Sequence, residues 1–240
     1  MRGRTNPVTL SDRRKLWQAT QMRNLVAVVL LLWSGLPVLG QAEHPVTGRR
    51  IAPVMGMGGA DWLERSEREL EEMPDTALDA IGIRPGMMVA DVGAGVGYFS
   101  IRIAKRVGPD GRVFANDVQP EMLTLLRERA AKAKVMNIET VLGTEADPKL
   151  PKGAFDLILM VDVYHELSQP QSMLRKLRMA LKPEGRLVLL EYRKEDPRIP
   201  IRPEHKMSVE EAKSELGAEG FRFDKVLEDL PRQHILIFRK

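Results

Sequence analysis

The stretch Met88-Val89-Ala90-Asp91-Val92-Gly93-Ala94-Gly95-Val96-Gly97-Tyr98 decides how the rest of the chain is read. A short apolar run suited to a buried strand enters three glycines at alternate positions, and a stretch with helical character follows. Glycines let the chain turn sharply and bring its backbone against a ligand with no Cβ in the way. The helix behind the turn aims its free N–H groups at the same place. Two residues narrow the ligand. The dinucleotide fingerprint requires glycine or alanine where this chain has Tyr98, which argues against a nicotinamide site and against an oxidoreductase on a similar fold. Asp91 closes the strand with a carboxylate, which repels a pyrophosphate and attracts an ammonium.

Working outward, the next apolar run, Arg112–Asn116, ends in Asp117, twenty residues beyond Gly97. A carboxylate there can accept both hydroxyls of a ribose; its other reading is an N-cap for a helix starting at Pro120. Further strands are expected at Ile138–Leu142, Phe155–Val161 and Arg186–Glu191, with helices at Tyr98–Val107, Pro120–Lys134 and Gln169–Leu181. Lys182-Pro183-Glu184-Gly185 reads as a turn. Such alternation implies a parallel sheet covered on both faces. After a helix near Ser208–Leu216, two strands, Phe221–Leu227 and His234–Arg239, follow closely, joined by Glu228-Asp229-Leu230-Pro231-Arg232. That connection permits an antiparallel hairpin but no parallel crossover.

On the N-terminal side, residues 41–59 read as a linker, Asp61–Met73 as a helix, and Pro74–Ile81 as a second, shorter one. Trp62, Leu63, Leu70 and Met73 give the first helix an apolar stripe. The segment Met55–Trp62 contains hinge glycines and reads either as a lid over the ligand or as a piece that packs on the sheet.

The 240 residues are 43% hydrophobic and 29% charged, which suits one sizeable globular domain. The net charge of +4 resides in residues 1–40, which hold six basic residues and one acid. Without them, 31 basic residues face 32 acidic ones, so no nucleic-acid-binding excess remains. Within residues 1–40, Arg23 precedes the apolar run Leu25–Trp33, and Val38-Leu39-Gly40 fits a cleavage site. The run is short for a membrane span, which needs about 20 residues. Cleavage after Gly40 would make the protein periplasmic or secreted; otherwise it is membrane-anchored through the leader or cytoplasmic. Met22 is an alternative start. The absence of cysteine excludes disulfides, thiolate catalysis and cysteine-bound metal.

Four stretches, VADVGAGVGYFS, VFANDVQPEML, FDLILMVDVYHEL and LKPEGRLVLLEYR, together resemble the class I S-adenosylmethionine-dependent methyltransferases over about Gly86–Tyr192, with a continuation toward the C-terminus. The resemblance implies an α/β, Rossmann-like, doubly wound seven-stranded sheet, mostly parallel with an antiparallel last strand. It divides the chain into a leader (1–40), a linker with a helical lid (41–84) and a methyltransferase domain (85–240). S-adenosylmethionine is then the cofactor. Asp91, Gly93 and Gly95 would surround its methionine half with Gly97 completing the loop, Asp117 would hold the ribose, and Val118 would lie on the adenine. Thr144, Glu145 and Asp147 compete for the adenine amino group, with Thr144 and Glu145 preferred.

Methyl transfer from a sulfonium is an in-line displacement, so the protein must mainly align an acceptor and exclude water. The segment after the fourth strand offers His165 or Asp162 as a general base and Tyr164 as a hydrogen-bonding group; the other reading is that His165 and Glu166 cap the next helix. Glu191-Tyr192-Arg193 and the loop Pro197–Met207 with His205 also reach the acceptor side. A metal site from His165, His205 and Glu191 can be drawn, but nothing in the spacing demands it, and no metal is expected. His234 reads as structural. The expected function is methylation of a small-molecule acceptor, in the broad group containing quinone-biosynthesis C-methyltransferases and arsenite methyltransferases. The missing cysteines exclude arsenite chemistry. The alternative is a non-catalytic S-adenosylmethionine-binding sensor or degenerate enzyme, because an exported protein would meet little of this cofactor.

Overall fold

A computed structural model describes residues 42–240; the expectations for the leader and its cleavage site fall outside the described residues. The parallel strands are β1 (Met88–Val92), β2 (Arg112–Asp117), β3 (Ile138–Leu142), β4 (Phe155–Val161) and β5 (Leu181–Arg193). The two-residue β6 (Lys206–Met207) follows, then β7 (Arg222–Leu227) and β8 (Gln233–Arg239). Their order is β3-β2-β1-β4-β5-β8-β7, with β6 attached to β5 off this path. β8 runs antiparallel to both neighbours, and toward β7 the short connection requires it. The expected seven-stranded sheet is therefore present along the main path.

Alternation along the strands makes two cores. Ala90, Phe114, Ile158, Met160, Leu187 and Leu189 face one side, where α5 (Pro170–Ala180) and α6 (Val209–Ala218) pack with Leu174, Leu177 and Leu216. Val89, Val113, Leu157, Leu159, Val188 and Leu190 face the other, under α2 (Pro74–Ile81) and α3 (Tyr98–Val107). A two-residue period sends neighbouring side chains to opposite faces, so an almost unbroken apolar run supplies both layers at once. Each fully buried aliphatic side chain contributes roughly 1.5–3 kcal/mol. Helix α4 (Pro120–Lys132) meets the glycine loop through Leu126, which packs with Ala94 and Ala115.

Three local expectations change. The helix expected over Asp61–Met73 is a 3-10 segment at Met57–Glu64 and one helical turn, α1 (Arg68–Glu71), separated by extended backbone at Arg65. The guanidinium of Arg68 donates to the Leu63 carbonyl at 2.8 Å and closes the first piece. Leu70, part of the expected apolar stripe, is 83% exposed while Met73 packs against the core, so the stripe does not share one face. The turn expected at Lys182–Gly185 lies within β5, with a register irregularity opposite Phe155–Leu157. Finally, β6 pairs Lys206 with Tyr192 and Met207 with Arg193; two residues are too few to show a period in sequence. No described helix is long and apolar enough to cross a membrane.

Candidate active site

β1 has β2 on one side and β4 on the other, so the chain changes direction across the sheet at this strand. Open α/β sheets bind ligands outside the carboxyl ends of the strands at such a point. Here the carboxyl end of β1 runs into Gly93, Gly95 and Gly97, all in the left-handed region at φ 75°, 51° and 85°. The N–H groups of Gly93 and Ala94 both donate to the Asn116 carbonyl at 2.8 and 2.9 Å, fastening the loop to β2. A Cβ on Gly93 would lie 2.4 Å from the Val163 side chain, so only glycine lets the loop approach the end of β4.

The loop and the strand ends wall a cavity of about 610 Å³. Gly93, Gly95, Asp117, Val118 and Glu145 line it at or beyond the ends of β1, β2 and β3, and Asp162, His165, Glu166, Tyr192 and His205 at or beyond those of β4 and β5. The 3-10 segment contributes Trp62 and Leu63 to the wall.

Asp117 accepts the Gly95 N–H on Oδ2 and the Gln119 N–H on Oδ1, each at 2.9 Å. The N-cap of α4 is Gln119, without a side-chain bond, so Asp117 does not cap that helix. Burial raises its carboxyl above the usual range, against the opposing effect of these backbone donors. Glu145 reaches the cavity wall, whereas Thr144 only closes its own turn by accepting the Asp147 N–H at 3.1 Å.

Asp91, expected beside the ligand, is buried beneath the loop and does not line the cavity. Its neighbours Ala90 and Val92 belong to the opposite core, so the strand period turns Asp91 toward α3, where Ser100 Oγ donates to it at 2.5 Å. Burial, only partly offset by Ser100 and reinforced by Asp117, pushes its carboxyl up to about 6. Gly97 is likewise structural in position: it is the N-cap of α3, and a Cβ there would lie 2.6 Å from Leu126.

At the acceptor side, a 3-10 turn spans Tyr164–Glu166. Tyr164 points away from the cavity into a buried group with His44, Arg49 and Glu215, which corrects its placement at the acceptor. A three-residue turn sends consecutive side chains in different directions, and His165 takes the one toward the cavity. Glu191 of β5 holds both: Oε1 accepts the Tyr164 N–H at 2.9 Å and Oε2 takes His165 Nδ1 at 2.5 Å. Burial alone would lower the His165 pKa; the adjacent Glu191 carboxylate overrides it and the net shift is upward. His165 Nε2 lies 3.1 Å from His205 Nδ1. Glu166 is pushed up to about 7, chiefly by burial. Burial, with His165 adding to it, lowers His205.

Asp162 has left-handed backbone at φ 52° and lies half-buried at the cavity wall. Such a conformation costs about 1–3 kcal/mol in a non-glycine residue. One carboxylate oxygen accepts from Gln233 Nε2 at 2.8 Å, and the other has no hydrogen-bond partner. Burial first, then Glu72 and Glu191, raise its pKa well above the ordinary value.

Sequence reasoning did not find Arg65, Arg68 and Glu72, which line the same wall. Glu72 accepts from Arg68 Nε at 2.6 Å, from Arg65 Nη2 at 2.8 Å and from the Tyr192 hydroxyl at 2.9 Å. The Arg68 guanidinium lies 4.3 Å from the Tyr98 ring centroid, and that of Arg65 lies 3.8 Å from Trp62. The i, i+4 spacing of Arg68 and Glu72 was the available signal, but charges at that spacing usually mark a solvated helix face.

A protein family described as "Methyltransferase domain" matches residues 83–229. The chain is 32% identical over 117 residues to a ubiquinone/menaquinone biosynthesis C-methyltransferase of Laribacter hongkongensis, covering 49% of this chain and 48% of that protein. It is 29% identical over 113 residues to the Cupriavidus taiwanensis protein of the same name, covering 47% and 46%. The chain thus spans about half the length of the curated relatives it matches. Among solved structures, an S-adenosylmethionine-dependent methyltransferase from Aquifex aeolicus superposes with a TM-score of 0.73 at 30% identity, over 77% of this chain and 98% of that one.

Proposed function

This chain belongs to the class I S-adenosylmethionine-dependent methyltransferases, and from that premise we propose that it methylates a small-molecule acceptor held in the cavity beside the cofactor. The observation that carries the reading is that a glycine loop, a ribose-ready carboxylate, His165, Glu166 and Tyr192 all line one cavity. Donor and acceptor therefore meet without leaving the same walls.

The residues fit the cofactor. The unpartnered buried oxygen of Asp162 is an acceptor waiting for a donor, and the ammonium of a methionine moiety satisfies it. Arg65 and Arg68 on the same wall supply guanidinium groups for its carboxylate. Asp117 uses one lone pair on each oxygen for backbone donors and keeps others for ribose hydroxyls. Val118 offers an apolar face to the adenine, and Glu145 an acceptor for its amino group.

When bound, S-adenosylmethionine supplies an already activated methyl group. The chain has then to align the acceptor, keep water out and receive a proton where the acceptor carries one. Val54, Leu63, Val92, Val163 and Met173 make much of the wall apolar. Of the expected catalytic set, His165 presents its Nε2 to the cavity, because Glu191 engages its Nδ1, while the free oxygen of Asp162 is taken by the cofactor's ammonium. The cavity of about 610 Å³ falls within the roughly 300–1,000 Å³ of small-molecule sites, so an acceptor beside the cofactor must be small. The names of the relatives from Laribacter hongkongensis and Cupriavidus taiwanensis favour an acceptor of that class.

Calorimetry with S-adenosylmethionine and S-adenosylhomocysteine, followed by turnover assays on phenol, quinone, thiol and amine acceptors, tests this reading. Binding of neither compound overturns it, and binding without turnover favours the sensor. The export reading rests on the leader and is tested by sequencing the N-terminus of the protein from its native host: Gln41 supports export, and a start at Met1 or Met22 overturns it.

A further inference from the structure

We propose that His165 Nε2, His205 Nδ1 and Glu166 Oε1 form a binding site for one divalent first-row transition cation at the acceptor end of the cavity. The three atoms make a compact triangle: 3.1 Å between the two imidazole nitrogens, and 3.9 and 3.7 Å from them to the carboxylate oxygen. An ion bonded at about 2.1 Å spaces its ligands about 3.4 Å apart in a tetrahedron and about 3.0 Å apart on an octahedral face. The triangle thus needs only side-chain adjustments of a few tenths of an ångström.

The atoms behind this triangle are arranged as a metal requires. A carboxylate 2.5 Å from His165 Nδ1 keeps the proton on that nitrogen, so Nε2 presents its lone pair. Glu191 is itself fully buried and pinned by the Tyr164 N–H, which fixes the plane of the ring. The Met55 N–H donates to the other oxygen of Glu166 at 3.4 Å, leaving Oε1 to face the imidazoles. Pairing of β6 with β5 anchors the chain directly after His205. These supports come from four separate segments and converge on one point.

Two imidazoles and one carboxylate suit zinc, iron, cobalt or manganese, whereas calcium and magnesium prefer sites built from oxygen alone. Three protein ligands leave positions open, and all three residues line the cavity. The ion therefore faces the acceptor, where it would take an anionic oxygen. Only this last consequence rests on the methyl-transfer reading; the cation site itself does not.

The test uses the full chain, stripped with chelator and titrated with Zn²⁺ by calorimetry and with Co²⁺ by visible absorption. The expected result is one equivalent per chain and cobalt d–d bands without thiolate charge transfer. His205→Ala and Glu166→Gln should each weaken binding at least 100-fold, and Glu191→Gln by about 10–100-fold, as loss of an orienting partner does. S-adenosylhomocysteine binding, followed in parallel, shows that each variant is folded. Absence of stoichiometric metal binding in a chain that binds S-adenosylhomocysteine overturns the cation site and leaves the methyltransferase reading standing; the two imidazoles then only hydrogen-bond each other. Metal binding that survives in both His205→Ala and Glu166→Gln also overturns it. Metal binding with no affinity for S-adenosylhomocysteine supports the site and removes the methyl-transfer reading instead.

Discussion

Asp117 accepts the backbone N–H of Gly95 across a gap of 22 residues in sequence, so the acid at the end of β2 and the glycine loop after β1 hold each other in place. A ligand that engages one of them meets a loop already positioned by the other. The carboxylate therefore has two tasks, and a substitution can separate them. Asp117→Asn keeps one oxygen acceptor but turns an NH₂ toward one of the two backbone donors. Loss of a charged acceptor for the ribose hydroxyls is worth about 1.5–3 kcal/mol, or roughly 10–150-fold in affinity. Calorimetry should show S-adenosylhomocysteine binding weakened by that factor in a protein that still unfolds cooperatively; unchanged affinity would place the ribose elsewhere.

Asp91 predicts a pH dependence of stability. Its carboxyl sits at about 6 in the folded chain, whereas an unfolded aspartate titrates near 3.9. A raised acid favours the folded state while protonated, so its contribution is complete below pH ~4 and is lost as pH rises through about 6. A shift of about two units corresponds to about 3 kcal/mol. Urea unfolding between pH 4 and 7 should show wild type losing stability relative to Asp91→Asn by an amount of that order. Parallel profiles for the two proteins would show that Asp91 does not titrate in this window.

The close approach of Gly93 to Val163 predicts a rescue. Gly93→Ala adds a Cβ 2.4 Å from a Val163 methyl and forces φ 75° on a non-glycine residue. Overpacking costs about 1–3 kcal/mol and the left-handed backbone about 1–2 more. Gly93→Ala/Val163→Ala should recover the steric part of the stability lost, leaving the backbone part. A double variant no more stable than Gly93→Ala, measured by thermal unfolding, would show that Val163 is not what crowds this position.

Tyr164 gives a prediction with the opposite emphasis. Its hydroxyl is buried with His44, Arg49 and Glu215, and the residue does not line the cavity. Tyr164→Phe should lower stability by about 0.5–1.5 kcal/mol, the worth of a buried hydrogen bond, and leave turnover within about threefold of wild type. A drop in turnover of 100-fold at unchanged stability would return Tyr164 to the reacting atoms.

Sequence order alone revealed the sheet, because buried strands write short apolar runs and a five-residue connection forbids a parallel crossover. It failed at Asp61–Met73, where an apolar stripe suggested one helix. In the structure Arg65 and Arg68 break that helix to reach Glu72, Leu63 and Tyr192, and Leu70 is left in solvent. Contacts distant in sequence outweighed local propensity there. Site residues divide in the same way: Gly93, Gly95, Asp117 and Glu145 reach the cavity, while Asp91, Gly97 and Tyr164 stand behind it and Thr144 lies in an exposed turn.

By itself, then, the sequence determined the donor half of this protein: the parallel sheet, the glycine loop at its switch point and the carboxylate one strand away. Those features follow from local chain geometry, which repeats within a few residues and leaves a readable pattern. Only the tertiary structure decided which side chains face the ligand and brought His165, Glu166 and His205 into one triangle supported by Glu191. The reason is that side-chain direction at the end of a strand or on a single helical turn depends on what packs behind it. No spacing between positions 165, 191 and 205 records that packing.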